Sequence, residues 1–425
     1  MIFEARHHGR RWVATALLLS GPAIYIGLAA AQVIASQLGQ SERESDVRWS
    51  VKLDPLNAEY RDKIARIELI EKQSPADAVS WSRGATALNP HRENYWLDQA
   101  VAEQLTGDFA AERISLARAS QANSHSAGLA WQIGNLYLSQ GATEAAFRDY
   151  HKVLENSPQL VPRAIQICWA LRPDVNFLLQ NVVPPEGDKA FLSFLLSNHE
   201  SDAAAKVWAT IAASRQAVEQ PFLFEYLRYL LVNHQALQAI RVWQQAADLS
   251  GLAAYQPTDE NLLVNGNFSL PILDGGFDWT YQKSSAVMLA LDPVETHSGP
   301  RSLRIFFEGA GIQDAGISQI VAVEPNTEYV FSGYYKAEEM DGVGGPRIAI
   351  HDLYTQEPLF TSDTLGEIDS WVQVTGKFTT RADTHLLVLR IARVPADNPI
   401  RGKLWIDDLK LVAASHLASL EKGRQ

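Results

Sequence analysis

Cysteine is nearly missing from this chain, since Cys168 is the only one among 425 residues. A single thiol excludes a disulfide within the chain and any metal site that needs several cysteines. Cys168 lies between Ile167 and Trp169 in an apolar stretch with helical character. We therefore expect it to be a small residue of the protein core.

Positive charge and catalytic motifs are also scarce. The formal net charge is −12 at pH 7. Nucleic acid is excluded as a partner, because binding to phosphates requires a basic surface. The sequence contains no G-x-S-x-G, H-E-x-x-H or G-x-x-x-x-G-K-S/T motif and no dinucleotide-binding fingerprint. These absences predict a protein that is not an enzyme.

Charged residues are missing from residues 12–40, and the apolar part of this stretch, residues 12–35, is 24 residues long. A bilayer core requires about 20 apolar residues in a helix, so residues 1–40 are predicted to be a basic stub and a transmembrane anchor. Basic residues precede the stretch and acidic residues follow it, which predicts a cytoplasmic N-terminus. The bulk of the chain would then be periplasmic, on a single-pass protein of a bacterial inner membrane.

A cleaved signal peptide is the alternative for the same segment. Residues 29–31 and 33–35 both offer small side chains at a cleavage position. Both interpretations export the rest of the chain.

The middle of the chain repeats itself. Residues 194–208 and 229–243 share two leucines, Asn-His, an alanine and Val-Trp at the same offsets. Helix-ending pairs also recur every 34 or 35 residues, at positions 54, 89, 123 and 157. A period of this length is typical of stacked helical repeats, which we expect over residues 45–250. Trp208 and Trp243 share one register and should both be buried.

Residues 127–158 resemble a tetratricopeptide repeat. The matching positions are Gly134, Tyr137, Gly141, Ala146, Tyr150 and Pro158. The resemblance implies an all-α solenoid that binds an envelope partner protein on its concave face. His199 and His234 recur at the repeat period after an asparagine. We interpret them as turn residues rather than metal ligands, because equivalent positions of successive repeats lie about 10 Å apart.

Beyond residue 250 the pattern changes to short alternating apolar segments separated by Gly and Pro, which predicts an all-β sandwich. We place a linker at residues 251–260, the sandwich at residues 261–413 and a tail at residues 414–425. The predicted fold class is therefore a transmembrane helix, an all-α solenoid and a C-terminal jelly-roll sandwich.

The phrases that carry the second resemblance are NLLVNGNFS (261–269), GGFDW (275–279), HSGPRSLRI (297–305) and GKLWIDDLKLV (402–412). In order and spacing they resemble the jelly-roll carbohydrate-binding modules of families 4, 9 and 22. Ser269 stands where such modules usually carry an acidic residue. The resemblance implies a structural calcium held partly by Asp407 and Asp408. The alternative is a solvated strand end, since calcium needs six or more oxygen ligands.

Sugar binding requires aromatic faces for stacking and polar groups for the hydroxyls. The aromatic candidates are Trp279, Tyr281, Tyr334, Tyr335 and Tyr354, and the polar candidates are His351 and Arg390. Strand alternation directs one member of the Tyr334–Tyr335 pair into the core. Trp279 could instead cap a sheet edge, and we expect Trp371 and Trp405 in the core.

Together these features predict a non-catalytic envelope scaffold. The array would bind a partner protein, and the sandwich would contact glycan or another subunit during assembly or export of a cell-surface polysaccharide. The alternative is an accessory glycan-binding lectin without protein partners. No cofactor other than the structural calcium is expected.

Overall fold

The computed structural model describes the backbone of residues 2–417 and the side chains of residues 20–417. The side chains of the basic residues at 6–11 and the last residues of the predicted tail, 418–425, lie outside this range. The chain divides into two compact units, Met1–Trp208 and Ala209–Gln425.

The helices alternate with short turns along the chain. Their bounds are α1 Ile2–Gln40, α2 Glu44–Leu53, α3 Ala58–Ile70, α4 Pro75–Leu88, α5 Glu93–Thr106, α6 Phe109–Ala122, α7 Ala127–Ser139, α8 Thr143–Asn156, α9 Val161–Leu171, α10 Val175–Asn181, α11 Asp188–Ser197, α12 Ser201–Ala213, α13 Gln220–Val232 and α14 Ala236–Leu249.

Helix ends recur as the sequence predicts. Asp54, Asn89, Asn123 and Ser157 each cap a helix, with φ from −133° to −148° and ψ from 81° to 92°. In each case the backbone N–H donates to the carbonyl four residues earlier. His199 and His234 follow helix C-caps with φ of 59° and 58°, so both are turn residues. The helical region fits a tetratricopeptide-like array.

Within a hairpin, small residues allow the helices to approach. A Cβ atom on Gly134 of α7 would lie 3.2 Å from the ring of Tyr150 on α8. Tyr150 is fully buried, and its hydroxyl donates to Asn135 at 2.8 Å. Trp208 and Trp243 are 1% and 2% exposed, which confirms the predicted burial of both.

The first unit also contains a partly buried charged cluster. The Arg66 guanidinium binds Asp62 of α3 at 2.5 Å and Asp98 of α5 at 3.0 Å. Burial, and next the negative charge of Asp62, raise the pKa of Asp98 to about 7. A single arginine thus pairs with two carboxyl groups, and the carboxyl group of Asp98 is readily protonated.

One helix of the described residues, Ser20–Gln40, is long and apolar enough to cross a membrane, and a signal sequence would satisfy the same criteria. Ile24, Tyr25 and Leu28 are all more than 60% exposed. The end of α1 is buried rather than exposed, because Ala35 packs against Val47 of α2 and Ile64 of α3.

The second unit contains α13, α14 and the sandwich. Its strands are β1 Trp279–Tyr281, β2 Val287–Asp292, β3 Ser302–Gly311, β4 Asp314–Ala322, β5 Glu328–Asp341, β6 Gly345–Asp352, β7 Pro358–Thr361, β8 Ile368–Thr379, β9 Leu386–Val394 and β10 Pro399–Ala413. Within the described residues they form two antiparallel five-stranded sheets. The first sheet has the order β1-β4-β9-β6-β7 and the second the order β2-β3-β10-β5-β8.

The two sheets enclose one hydrophobic core. Alternate residues of each central strand point inward, such as Ile348 and Ile350 of β6, Leu389 of β9 and Leu404 and Ile406 of β10. Their neighbours in sequence therefore lie on the outer faces, and these faces hold most of the polar candidates.

Candidate functional site

The outer face of the first sheet carries a line of four polar residues and one alanine. Thr280 of β1 lies opposite Ser318 of β4, and Ser318 lies opposite Arg390 of β9. Arg390 lies opposite Ala349 of β6, which lies opposite Thr361 of β7. We call these five residues the cross-strand row. Four strand spacings of about 4.8 Å make the row about 19 Å long.

His351 and Arg390, both candidates from the sequence, are in direct contact on this face. The Arg390 Nη2 atom lies 2.9 Å from His351 Nδ1. A guanidinium can only donate, so Nδ1 accepts and the proton of the neutral ring is on Nε2. Burial, and next the charge of Arg390, lower the pKa of His351. The imidazole is therefore a neutral group with a free N–H donor.

Arg347 is a further residue of this face that the sequence analysis did not select. It lies opposite Ala392 on β9, two residues from Arg390, so the two arginines are diagonal neighbours. Diagonal neighbours are about 7–8 Å apart. Strand alternation in the sequence could have indicated Arg347, because Arg347 and His351 flank the inward pair Ile348 and Ile350 and so lie on the same outer face.

Tyr354 lies in the turn after β6 but is partly covered. His234, at the turn between α13 and α14, stacks on its ring with centroids 4.3 Å apart. The Tyr354 hydroxyl is buried and has no hydrogen-bond partner. The exposed edge of the ring is thus a smaller surface than a free tyrosine offers to a sugar.

Helix α14 covers the β4 side of the first sheet. Trp243 of α14 packs on Phe277 with ring centroids 5.7 Å apart, and a Cβ atom on Gly276 would overlap the Trp243 ring. A cavity of only about 50 Å³ remains between α14 and residues that include Val264 and Ile320. The open part of the face is therefore centred on β9 and β6.

Tyr334 and Tyr335 lie on opposite sides of β5, as alternation predicts. Tyr335 packs against the core. Tyr334 is on the outer face of the second sheet, where His297 stacks on it with centroids 3.6 Å apart. Trp371 is half-buried beside His297 rather than in the core, because its neighbours Val372 and Val374 take the inward positions of β8. Trp405 is 4% exposed, and its indole donates to Asp292 at 2.9 Å.

Trp279 and Tyr281 of β1 differ in accessibility. Trp279 is 1% exposed, packs on Phe268 and donates from its indole to the Asn265 carbonyl at 3.2 Å. A ligand cannot reach its ring in this conformation. Tyr281 is 37% exposed and lines a cleft of about 600 Å³ together with Met288 of β2.

Asp407 and Asp408 do not fit a calcium site. Asp407 is fully buried and accepts from the backbone N–H groups of His297 and Ser298 at 2.9 and 3.1 Å. Asp408 Oδ2 lies 2.6 Å from both His297 Nδ1 and Ser298 Oγ. The described residues contain no group of three or more His, Cys, Asp or Glu that could hold a metal ion. The two carboxylates instead fix the loop that contains His297 and Ser298.

Comparison with known proteins identifies the C-terminal domain. Residues 260–397 match the family model CBM_4_9, described as a carbohydrate binding domain. With its two antiparallel sheets, this part of the chain resembles a carbohydrate-binding module with a jelly-roll sandwich. No curated protein matches the chain.

Solved structures resemble parts of the chain. The structure described as "CBM4 structure and function" is 14% identical, covers 36% of this chain and 99% of its own, and has a TM-score of 0.28. The CBM22-1 xylan-binding domain from Paenibacillus barcinonensis Xyn10C is 16% identical, covers 37% and 96%, and has a TM-score of 0.25. A crystal structure of MamA protein is 18% identical, covers 45% and 98%, and has a TM-score of 0.30.

Proposed function

We propose that this protein is a non-catalytic envelope scaffold. A helical array at residues 45–250, anchored in the bacterial inner membrane, binds a partner protein in the periplasm, and the sandwich at residues 261–413 binds glycan. The observation that carries the proposal is the carbohydrate-binding module on the same chain as helical hairpins and an apolar helix. Assembly or export of a cell-surface polysaccharide is the setting that unites these parts.

The end of α1 supports an anchor that is retained. Cleavage after Ala31 or Ala35 would cut within a continuous helix. Ala35 is fully buried, and the Gly39 carbonyl accepts from Lys63 of α3 at 2.9 Å. A cleaved chain would lose part of the core that α1 forms with α2 and α3, so retention is the better fit.

A groove in the helical region is the proposed binding surface for a partner protein. It has a volume of about 680 Å³ and lies among α4, α5 and α6. Its lining includes Arg83, His91, Trp96 and Arg118, and the Trp96 indole donates to the Pro90 carbonyl at 2.8 Å. A tryptophan among cationic side chains suits a peptide segment with acidic character, since Trp and Arg are enriched at interface hot spots.

The cross-strand row is the proposed glycan-binding surface. On the outer face of the second sheet, several charged groups already pair with one another. Lys336, for example, pairs with Glu295 at 2.9 Å and Glu338 at 3.0 Å. On the first sheet, the Nε atoms of Arg347 and Arg390 are buried and lack a hydrogen-bond partner. Arginines whose Nε atoms the folded chain leaves without acceptors, beside hydroxyl groups, can donate from their terminal nitrogens to a sugar.

The experiment uses the full chain solubilised in detergent. Affinity purification from membranes should recover a stoichiometric protein, and a glycan panel should reveal a bound oligosaccharide. Arg118→Glu should abolish recovery of the partner. Arg113→Glu, on the same helix but outside the groove, should not.

The second candidate, a glycan-binding lectin without protein partners, has one observation in its favour. Trp243 and His234 of the last hairpin pack directly on the sandwich, so helices can serve to support that domain. Glycan binding without a stoichiometric protein in the purification would select the lectin. If neither ligand is recovered, both functions are wrong.

A further inference from the structure

Two arginines on the outer face of the first sheet have no anionic partner. Among the residues that the structure describes, neither Arg347 nor Arg390 forms an ion pair, although other arginines of the sandwich do, such as Arg304 with Asp292 at 3.2 Å. Both Nε atoms are shielded from solvent without a hydrogen-bond acceptor. Burial of an unsatisfied donor without an anionic partner is unfavourable, and an anion bound to the terminal nitrogens would compensate the charge of both side chains.

Small neighbours leave space around both guanidinium groups. Arg347 lies opposite Ala392, and Arg390 lies opposite Ala349. A methyl group beside each arginine leaves the face between the two side chains open. His351 adds a third donor through its Nε2–H, because its Nδ1 accepts from Arg390. The three side chains present donors and no carboxylate.

This donor set suits a planar anion. A guanidinium binds a carboxylate through two parallel hydrogen bonds, a geometry that neither hydroxyl groups nor lysine can reproduce. On either side of Arg390, the cross-strand row offers the hydroxyls of Thr280, Ser318 and Thr361. The arrangement thus combines an anion-binding centre with flanking groups that bind sugar hydroxyls.

We infer that the sandwich recognises an acidic polysaccharide and that Arg390 and Arg347 bind the carboxylate of a uronic acid residue. The inference rests on the proposed glycan-binding function and specifies its ligand. Because the whole chain is negatively charged at −12, long-range attraction of a polyanion is not expected. Recognition depends on short-range contacts at the two arginines.

The test compares two ligands that differ only in the acid group. Oligouronides and the same oligosaccharides after reduction of each carboxylate to a hydroxymethyl group are titrated into the detergent-solubilised full chain. The oligouronide should bind at least about tenfold more tightly, a difference of about 1.4 kcal/mol. Equal or tighter binding of the reduced oligosaccharide would overturn the inference and leave the proposed glycan-binding function intact. Absence of binding to either form, or to any other glycan of a panel, would overturn both.

Substitutions test whether Arg390 and Arg347 are the residues that bind the carboxylate. Arg390→Gln and Arg347→Gln should each weaken oligouronide binding about tenfold or more and leave binding of the reduced form nearly unchanged. Arg381→Gln is the matched control, because Arg381 pairs with Glu357 and is 60% exposed. Arg390→Lys should not restore affinity, because lysine lacks the bidentate fork.

Two outcomes would contradict the binding of a uronic acid carboxylate by these arginines. Tighter binding of sulfated or phosphorylated oligosaccharides through the same arginines would assign the site to a tetrahedral anion. Oligouronide binding that is unaffected by both glutamine variants would place the acid group elsewhere. Hydrogen exchange of β6 and β9 would reveal a variant that fails to fold. In that case the other variant and the comparison of the two ligands still test the inference.

Discussion

Replacement of Trp279 by alanine should unfold or strongly destabilise the sandwich. The side chain is 1% exposed and packs on Phe268, with ring centroids 5.3 Å apart. Truncation of a buried tryptophan costs about 3–5 kcal/mol. The substitution also removes the hydrogen bond of 3.2 Å from the indole N–H to the Asn265 carbonyl, which keeps the Phe268 N–H as a donor at 3.1 Å, so this loss adds about 1 kcal/mol. We expect a total of at least about 4 kcal/mol, a large share of the 5–15 kcal/mol typical of a domain.

Two variants separate the contributions. Trp279→Phe keeps most of the packing and removes the N–H donor, so it should cost about 1–3 kcal/mol. Tyr281→Ala, two residues further along the same strand, removes a ring that is 37% exposed and should change stability by about 0.5 kcal/mol or less. The two residues therefore lie on the same short strand and differ in burial.

The assay must report on the sandwich alone, because a chain of two units has no single unfolding transition. Hydrogen exchange of β4 and β9 in increasing urea gives the local free energy of unfolding. Wild-type protection in Trp279→Ala, combined with lost glycan binding, would make Trp279 a ligand contact and refute the argument from burial.

Three further predictions concern other parts of the chain. The Asp98 pKa of about 7 in the folded state lies above the reference value of 3.8, so the folded protein binds more protons. Hydrogen exchange of α3 and α5 should therefore show stability falling as pH rises from about 4 to 7, and Asp98→Asn should flatten this dependence. Gly276→Ala should destabilise the contact with Trp243 by about 1–3 kcal/mol, whereas Gly299→Ala, also at positive φ but in open space, should cost less. A reporter that is active only outside the cytoplasm should work when fused after residue 60, and a silent fusion would contradict the proposed topology.

Local chemistry explains what the sequence predicted well. The helix ends at Asp54, Asn89 and Asn123 depend on cap residues that act within one turn, so their spacing is readable from the chain. Most strands of the sandwich were similarly visible through alternation. The strands β1, β2 and β7 were not, because β1 and β7 have only one or two residues of each facing direction and β2 is apolar at five successive positions.

Register explains what the sequence did not predict. Arg390 and His351 were selected by residue type, but their contact and the presence of Arg347 beside them depend on the pairing of β6 with β9. The packing of Trp243 on Phe277 joins residues on either side of a segment predicted as a linker. Such contacts are set by the fold as a whole, and a single sequence carries no local sign of them.

The continuity of α1 with the core of the first unit has a mechanical consequence for the proposed anchor. A helix whose last turns are packed against α2 and α3 acts as a rigid post rather than a flexible tether. Rotation or tilt of the post in the bilayer would turn the groove among α4, α5 and α6 by the same angle. The height and direction in which a partner meets that groove would thus be fixed relative to the membrane surface.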